Sequence, residues 1–265
     1  MTEIIGYICA LFIGLILGLT GGGGSILTVP VLVYIMGFEP VMGAGYSLFI
    51  VGTTSAFGSF LNFKKGIVEV KTALLFAIPS FTSVFLTRKF IVPAIPEILF
   101  ENKDIILSKN TFLMVLFAVV MFIAALSMLK KLPPKKTAIE VEPNILFSII
   151  KIMLLGILIG LIGAGGGFLI IPALILIVKL PIRKAIGTAL LIISLNSIIG
   201  FLGDIGNFHL DWPFLITFSF IAIIGISLGI YLSKFVAEKQ LKTGFGWFVL
   251  AMAIFIITKE LFFTL

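Results

Sequence analysis

The sequence predicts an all-α polytopic membrane protein: two inverted-topology repeats of about five hydrophobic segments each, with helices broken at Gly-rich loops. Three observations lead there. The 265 residues are 60% hydrophobic and 12% charged, with a mean hydropathy of +1.27, which leaves too little polar surface to clothe a soluble globule. The run from Gly18 to Pro30 returns from Gly160 to Pro172 at a constant offset of 142, with seven of thirteen positions identical. The same offset carries Gly45 onto Gly187, Leu48 onto Leu190, Ile50 onto Ile192, Ser55 onto Ser197 and Gly58 onto Gly200. Each copy then holds five apolar segments, an odd number, so the second copy enters the bilayer from the face opposite to the first.

In chain order the apolar segments cover residues 4–20, 25–37, 43–63, 71–92 and 111–129, then 145–162, 167–179, 184–203, 212–233 and 244–263. Most approach the roughly 20 residues that cross a bilayer. The second of each set has only thirteen residues and directly follows a glycine loop; at about 1.5 Å per residue it reaches only about 20 Å. Four near-consecutive glycines, each less favourable in a helix than alanine by about 1 kcal/mol, must interrupt a membrane helix there. The chain thus divides into an N-terminal membrane repeat (1–130), a linker (131–144) and a C-terminal membrane repeat (145–265). The prolines and charges between Lys130 and Pro143 suit water. The insert from Pro96 to Lys109 is expected to be a loop with a short interfacial helix. The first twenty residues carry Glu3, no Lys or Arg, and no convincing small-residue cleavage site, so they read as a retained helix rather than a signal peptide.

Charge sets orientation. With a cytoplasmic linker, fourteen Lys and Arg fall inside and only Arg88, Lys89, Lys103, Lys109 and Lys259 outside, where eight of the twelve acids lie. The net charge of +7 is explained by this bias, and no nucleic-acid partner is implied. Cys9, the single cysteine, excludes an intramolecular disulfide and a thiol metal cluster. The remaining ionisable groups lie toward segment ends: Arg88 and Lys151 are expected to snorkel to the interface, and Asp204 and His209 to sit in a solvated loop.

Irregular backbone at membrane depth is tolerated only inside protein or against a wet cavity. After each glycine loop a short helix begins, near Ser25 and near Gly167, with four amides lacking an intrahelical acceptor and a partial positive charge from the helix dipole. Such ends attract anions. The backbone donors of Gly22, Gly23, Gly24 and Ser25, and of Gly165, Gly166 and Gly167, are therefore the candidate substrate contacts. Ser47, Thr54, Thr188 and Asn196, on the third segment of each copy, would complete the shell. Thr54 and Asn196 are equivalent by the repeat. Asn196 must either bond a neighbouring helix or touch substrate. Isolated glycines such as Gly14, Gly156, Gly225 and Gly229 fit close helix packing instead. No strand precedes the tracts and no Lys-Ser/Thr follows them, so they are not nucleotide-binding loops.

Gly21 to Pro30 and Gly163 to Pro172, with Gly187-Thr188-Ala189-Leu190 and Asn196-Ser197-Ile198-Ile199-Gly200, resemble the duplicated signature of the sulfite exporter TauE/SafE family, also called the 4-toluene sulfonate uptake permease family. The resemblance spans nearly the whole chain. The first copy departs from it with Tyr46 in Gly45-Tyr46-Ser47-Leu48, and the second with Ala189. It implies a multi-pass carrier in a bacterial inner membrane for small sulfur-containing anions such as sulfite, thiosulfate or organosulfonates. Together these readings predict a secondary transporter working by alternating access, one half rocking on the other. Its expected partners are the small anionic substrate and the lipid bilayer; a homo-oligomer is compatible with the sequence and not required by it. No cofactor, metal or enzymatic step is expected. The rival is an anion channel with the same loops as its filter. A membrane enzyme lacks a catalytic constellation, and a non-transporting scaffold leaves the irregular backbone unexplained.

Overall fold

A computed structural model describes residues 2–102, 105–129, 145–176, 178, 180–208, 210–235 and 238–263. The linker expected over 131–144 and His209 lie outside the described residues. The first half gives α1 (Thr2–Thr20), α2 (Ser25–Ile35), α3 (Pro40–Lys64), α4 (Val70–Ala94) and α5 (Lys109–Leu129). The second gives α6 (Ile145–Ile162), α7 (Gly167–Leu176), α8 (Ile182–Asp204), α9 (Trp212–Leu232) and α10 (Glu238–Phe263). Five helices are long and apolar enough to cross a membrane among the described residues: α3, α4, α5, α8 and α9. The chain is an all-α multi-pass membrane protein, and large apolar side chains such as Phe12, Leu75, Ile123, Ile216 and Phe220 face outward as a lipid-facing coat.

The short segments after the glycine loops are short helices. α7 has ten residues, about 15 Å of helix, half of what the hydrocarbon core requires. In α2 a regular turn ends at Pro30 and passes into a π-helical turn over Val31–Ile35. The ring of Pro30 has no N–H to give, and a wider turn is a common response to such a break in the ladder. A second π turn, Thr87–Ile91, interrupts α4.

The expectation for the insert is overturned. The insert after Pro96 is an antiparallel hairpin, β1 (Ile98–Asn102) with β2 (Ile105–Ser108), pairing Ile98 with Ser108 and Asn102 with Ile105. In the sequence the apolar run Ile98-Leu99-Phe100 is followed after four residues by a second, Ile105-Ile106-Leu107, and Phe100 pairs with Leu107. Short β-branched and aromatic runs of that kind favour paired strands over one isolated turn of helix.

The helices pack across the halves. α1 lies on α9 and α6 on α4; α3 crosses α8; α5 lies on α10; α9 also touches α3, and α4 touches α8. Glycines bring the first two pairs to backbone distance. A Cβ on Gly14 would collide with the carbonyl of Ala222, and one on Gly156 would lie 2.6 Å from that of Ser80; 14 with 156 and 80 with 222 are equivalent positions. The isolated glycines are packing residues, as their sequence context implies.

Candidate functional site

The two glycine loops, separated by 142 residues in sequence, touch each other. A Cβ on Gly22 would come within 2.9 Å of the Gly167 backbone, and one on Gly167 would strike the carbonyl oxygen of Gly22. Gly22, Gly23, Gly24, Ser25, Gly165, Gly166 and Gly167 are all buried. So are Ser47, Thr54, Thr188 and Asn196, none more than 1% exposed.

The loops differ in their hydrogen bonding. In the first, the amides of Ser25, Ile26 and Leu27 turn back onto the carbonyls of Gly22, Gly23 and Gly24 at 3.3, 3.3 and 3.1 Å, while Gly23 donates to Thr20 Oγ1 at 2.9 Å. Ser25 Oγ donates to the Gly22 carbonyl at 2.8 Å. This loop satisfies most of its own donors. In the second, Gly165 and Gly166 take left-handed φ values of +67° and +72°, which L side chains rarely adopt. The amides of Leu169 and Ile170 both reach the Gly166 carbonyl, at 2.9 and 3.0 Å, and the amides of Gly165, Gly166 and Gly167 donate to no described residue. The open donor set is therefore in the second copy.

The side chains around the loops do not follow this contrast, because both copies contribute unpartnered groups. Ser47, Thr54, Ser55 and Ser197 hold buried hydroxyls without a partner, and so does Thr28 on α2. Ser197 points at the second loop: its Oγ would lie 2.7 Å from a Cβ on Gly165. Asn196 does both things its chemistry allows. Its Nδ2 donates to Ser80 Oγ on α4 at 2.8 Å, while Oδ1 has no partner. Thr188 stands apart, accepting from the Glu69 amide at 3.0 Å. The equivalent position, Tyr46, accepts from the Asp211 amide at 2.8 Å. Glu69 and Asp211 are themselves equivalent, so each half clasps the other by the same bond.

Three further polar residues lie in this neighbourhood: Ser55 and Ser197, which the sequence already places on the third segments beside the loops, and Thr28. Ser55 and Ser197 carried a signal, identity at the repeat offset, whereas Thr28 faces Ile170 in the second copy and carried none.

Arg88 and Asp204 require a correction. Neither snorkels nor lies in a solvated loop: they are 0% and 1% exposed and form a buried ion pair, with Arg88 Nε 2.9 and 2.7 Å from the two carboxylate oxygens. Arg88 Nη2 also reaches the Val41 carbonyl at 3.2 Å. An unpaired charge in an apolar interior is so unfavourable that two such groups within reach find one another. The bundle interior is thus not free of charge. Two hollows open at opposite ends of α3. One, of about 340 Å³, is lined by Glu39, Met42, Pro93, Glu97, Lys109 and Phe208 beside the ion pair. The other, of about 330 Å³, is lined by Leu61, Lys64, Lys65, Ser227, Tyr231 and Lys234. Neither reaches the glycine loops.

A bundle of membrane-spanning helices folded around two broken ones, with buried and unspent polar groups where the breaks meet, is the arrangement expected of a polytopic transporter. Within that class the chain belongs to the sulfite exporter TauE/SafE family, whose profile matches residues 6–256. A "Probable membrane transporter protein" of Xylella fastidiosa (strain 9a5c) is 32% identical over 255 residues, 94% of this chain and 92% of the relative. The "Probable membrane transporter protein YunE" of Bacillus subtilis is 26% identical over 92% of each chain. The "Probable membrane transporter protein MJ0441" of Methanocaldococcus jannaschii is 29% identical over 44% of this chain and 48% of its own. No solved structure matches.

Proposed function

We propose that this membrane transporter is a secondary carrier of a small sulfur-containing anion (sulfite, thiosulfate or an organosulfonate) in a bacterial inner membrane, and that the anion sits where the two glycine loops meet. The observation that carries the reading is the set of unspent donors: the amides of Gly165, Gly166 and Gly167 and the hydroxyls of Thr54, Ser55 and Ser197. Buried donors without acceptors are unfavourable by about 1–3 kcal/mol each, a debt that an oxyanion discharges. The first loop, already bonded to itself, acts as the rigid wall, and the second as the cradle. Asn196 joins by turning its amide, so that Oδ1 accepts from Ser80 and Nδ2 faces the anion.

The paired contacts support two copies of opposite topology. The packing also changes which bodies would rock. Because α1 lies with α9 and α6 with α4, the natural lobes mix the two halves of the sequence, with α3 and α8 between them; α2 packs on α3 and α7 on α8. A carrier is favoured over a channel because the loops are packed shut and neither hollow runs to them.

Gly166→Val tests the reading. The new side chain meets Ile159 and a left-handed φ of +72°, so the protein should reach the membrane and lose flux of labelled sulfite and thiosulfate in proteoliposomes by at least tenfold. Flux equal to wild type rejects the loop site. A panel of sulfite, thiosulfate, methanesulfonate and acetate, read as shifts in Tm of purified protein, then ranks substrates.

A further inference from the structure

We infer that Arg88 is a second anion site, set between the 340 Å³ hollow and the glycine loops, and that Asp204 occupies it as an internal substitute for the substrate's oxyanion. The inference rests on the carrier reading and adds a station to its path.

Arg88 is fully buried on the π turn of α4, and its guanidinium is incompletely used. Nε and Nη2 serve Asp204, Nη2 also serves the Val41 carbonyl, and Nη1 is buried without a partner. A guanidinium presents a planar fork that fits two oxygens of a carboxylate, a sulfonate or a sulfite equally well. The carboxylate of Asp204 shows that the fork already holds an oxyanion in this geometry. The free Nη1 leaves it able to begin on a second before releasing the first.

The position fits a station. Val41, whose carbonyl Arg88 holds, lines the 340 Å³ hollow with Val92, one turn beyond Arg88. On the other side, Thr87, with its own unpartnered buried hydroxyl, packs on Gly160, where the second glycine run begins. The hollow also carries Glu39 and Glu97, which would repel an anion; Lys109, 3.6 Å away, offsets Glu97. Arg88 is the charge that draws an anion past them. The equivalent pair at the other end is Ile230 with Asn62, which cannot form an ion pair. The latch belongs to one end only.

The test is chemical rescue. Asp204→Ala strands the arginine and leaves a carboxylate-sized gap. Its Tm should fall in chloride and be restored by at least half with sulfite, thiosulfate or methanesulfonate at matched ionic strength; the near-isosteric Asp204→Asn repeats the comparison if the alanine variant is not recovered folded. Arg88→Gln should show no such response. A purely structural pair predicts loss in both variants with no anion dependence, and that result overturns the proposal. The outcome separates from that of Gly166→Val: rescue with intact flux in Gly166→Val removes the loop site and keeps this one, while lost flux there without rescue here does the reverse.

Discussion

Single hydroxyls in the centre of this bundle carry the clearest distinction between holding the fold and holding a ligand. Ser55 and Ser197 are 0% exposed and bond to nothing described. A buried donor without an acceptor contributes little or is unfavourable, so its deletion should leave stability unchanged or improve it by about 1 kcal/mol. Ser197→Ala, and separately Ser55→Ala, should keep or raise Tm while lowering anion flux several-fold; a drop in Tm with unaltered flux would make these residues packing elements. The glycine tracts were legible in the sequence because a run of glycines in a lipid-soluble segment has few other uses, and the repeat marked it twice. The Arg88–Asp204 pair was not. Its members lie 116 residues apart and each near a segment end, where an ionisable group ordinarily reaches water, and nothing local reveals that α4 and α8 press those two ends together.

Helix boundaries followed the apolar runs closely, since hydrocarbon forbids unpaired backbone and leaves few other solutions. Where the chain leaves the membrane that constraint ends, and there the reading failed: a hairpin stands where an interfacial helix was expected. Partner choice was also invisible, because most of these helices are apolar on nearly every face and no strong amphipathic stripe names a neighbour. The glycines supply what hydropathy does not. α1 and α9 meet through Gly14, Gly225 and Gly229 at backbone distance. Gly225→Val forces a side chain against the Leu11 carbonyl; such overpacking is unfavourable by about 1–3 kcal/mol. The variant should lower the Tm by several degrees and weaken flux in proportion to the folded fraction, as measured by size-exclusion recovery. A normal Tm would mean that these helices are free to part.

Across the whole molecule the two ends of the path are chemically unlike. One is closed by an ion pair; the other gathers Lys64, Lys65 and Lys234 around an open hollow. Partial desolvation of an otherwise exposed side chain, and then the neighbouring charge of Lys234, hold the Lys65 ammonium below its ordinary lysine value. Since the unfolded chain then binds that proton more readily than the folded one, stability rises with pH through the interval between the lowered and the ordinary value. Lys65→Gln should therefore raise Tm at neutral pH and flatten that alkaline rise; an unchanged pH profile would show that Lys65 keeps its ordinary value. The interlocking of the halves reaches further still, into how the protein is made. α1 emerges first, yet its docking surface, α9, begins only at Trp212; at roughly 5–20 residues per second that interval is on the order of ten to forty seconds. Throughout it α1 stands in the bilayer with its glycine face bare, so biogenesis must shelter a half-built clasp until the ribosome delivers the other side.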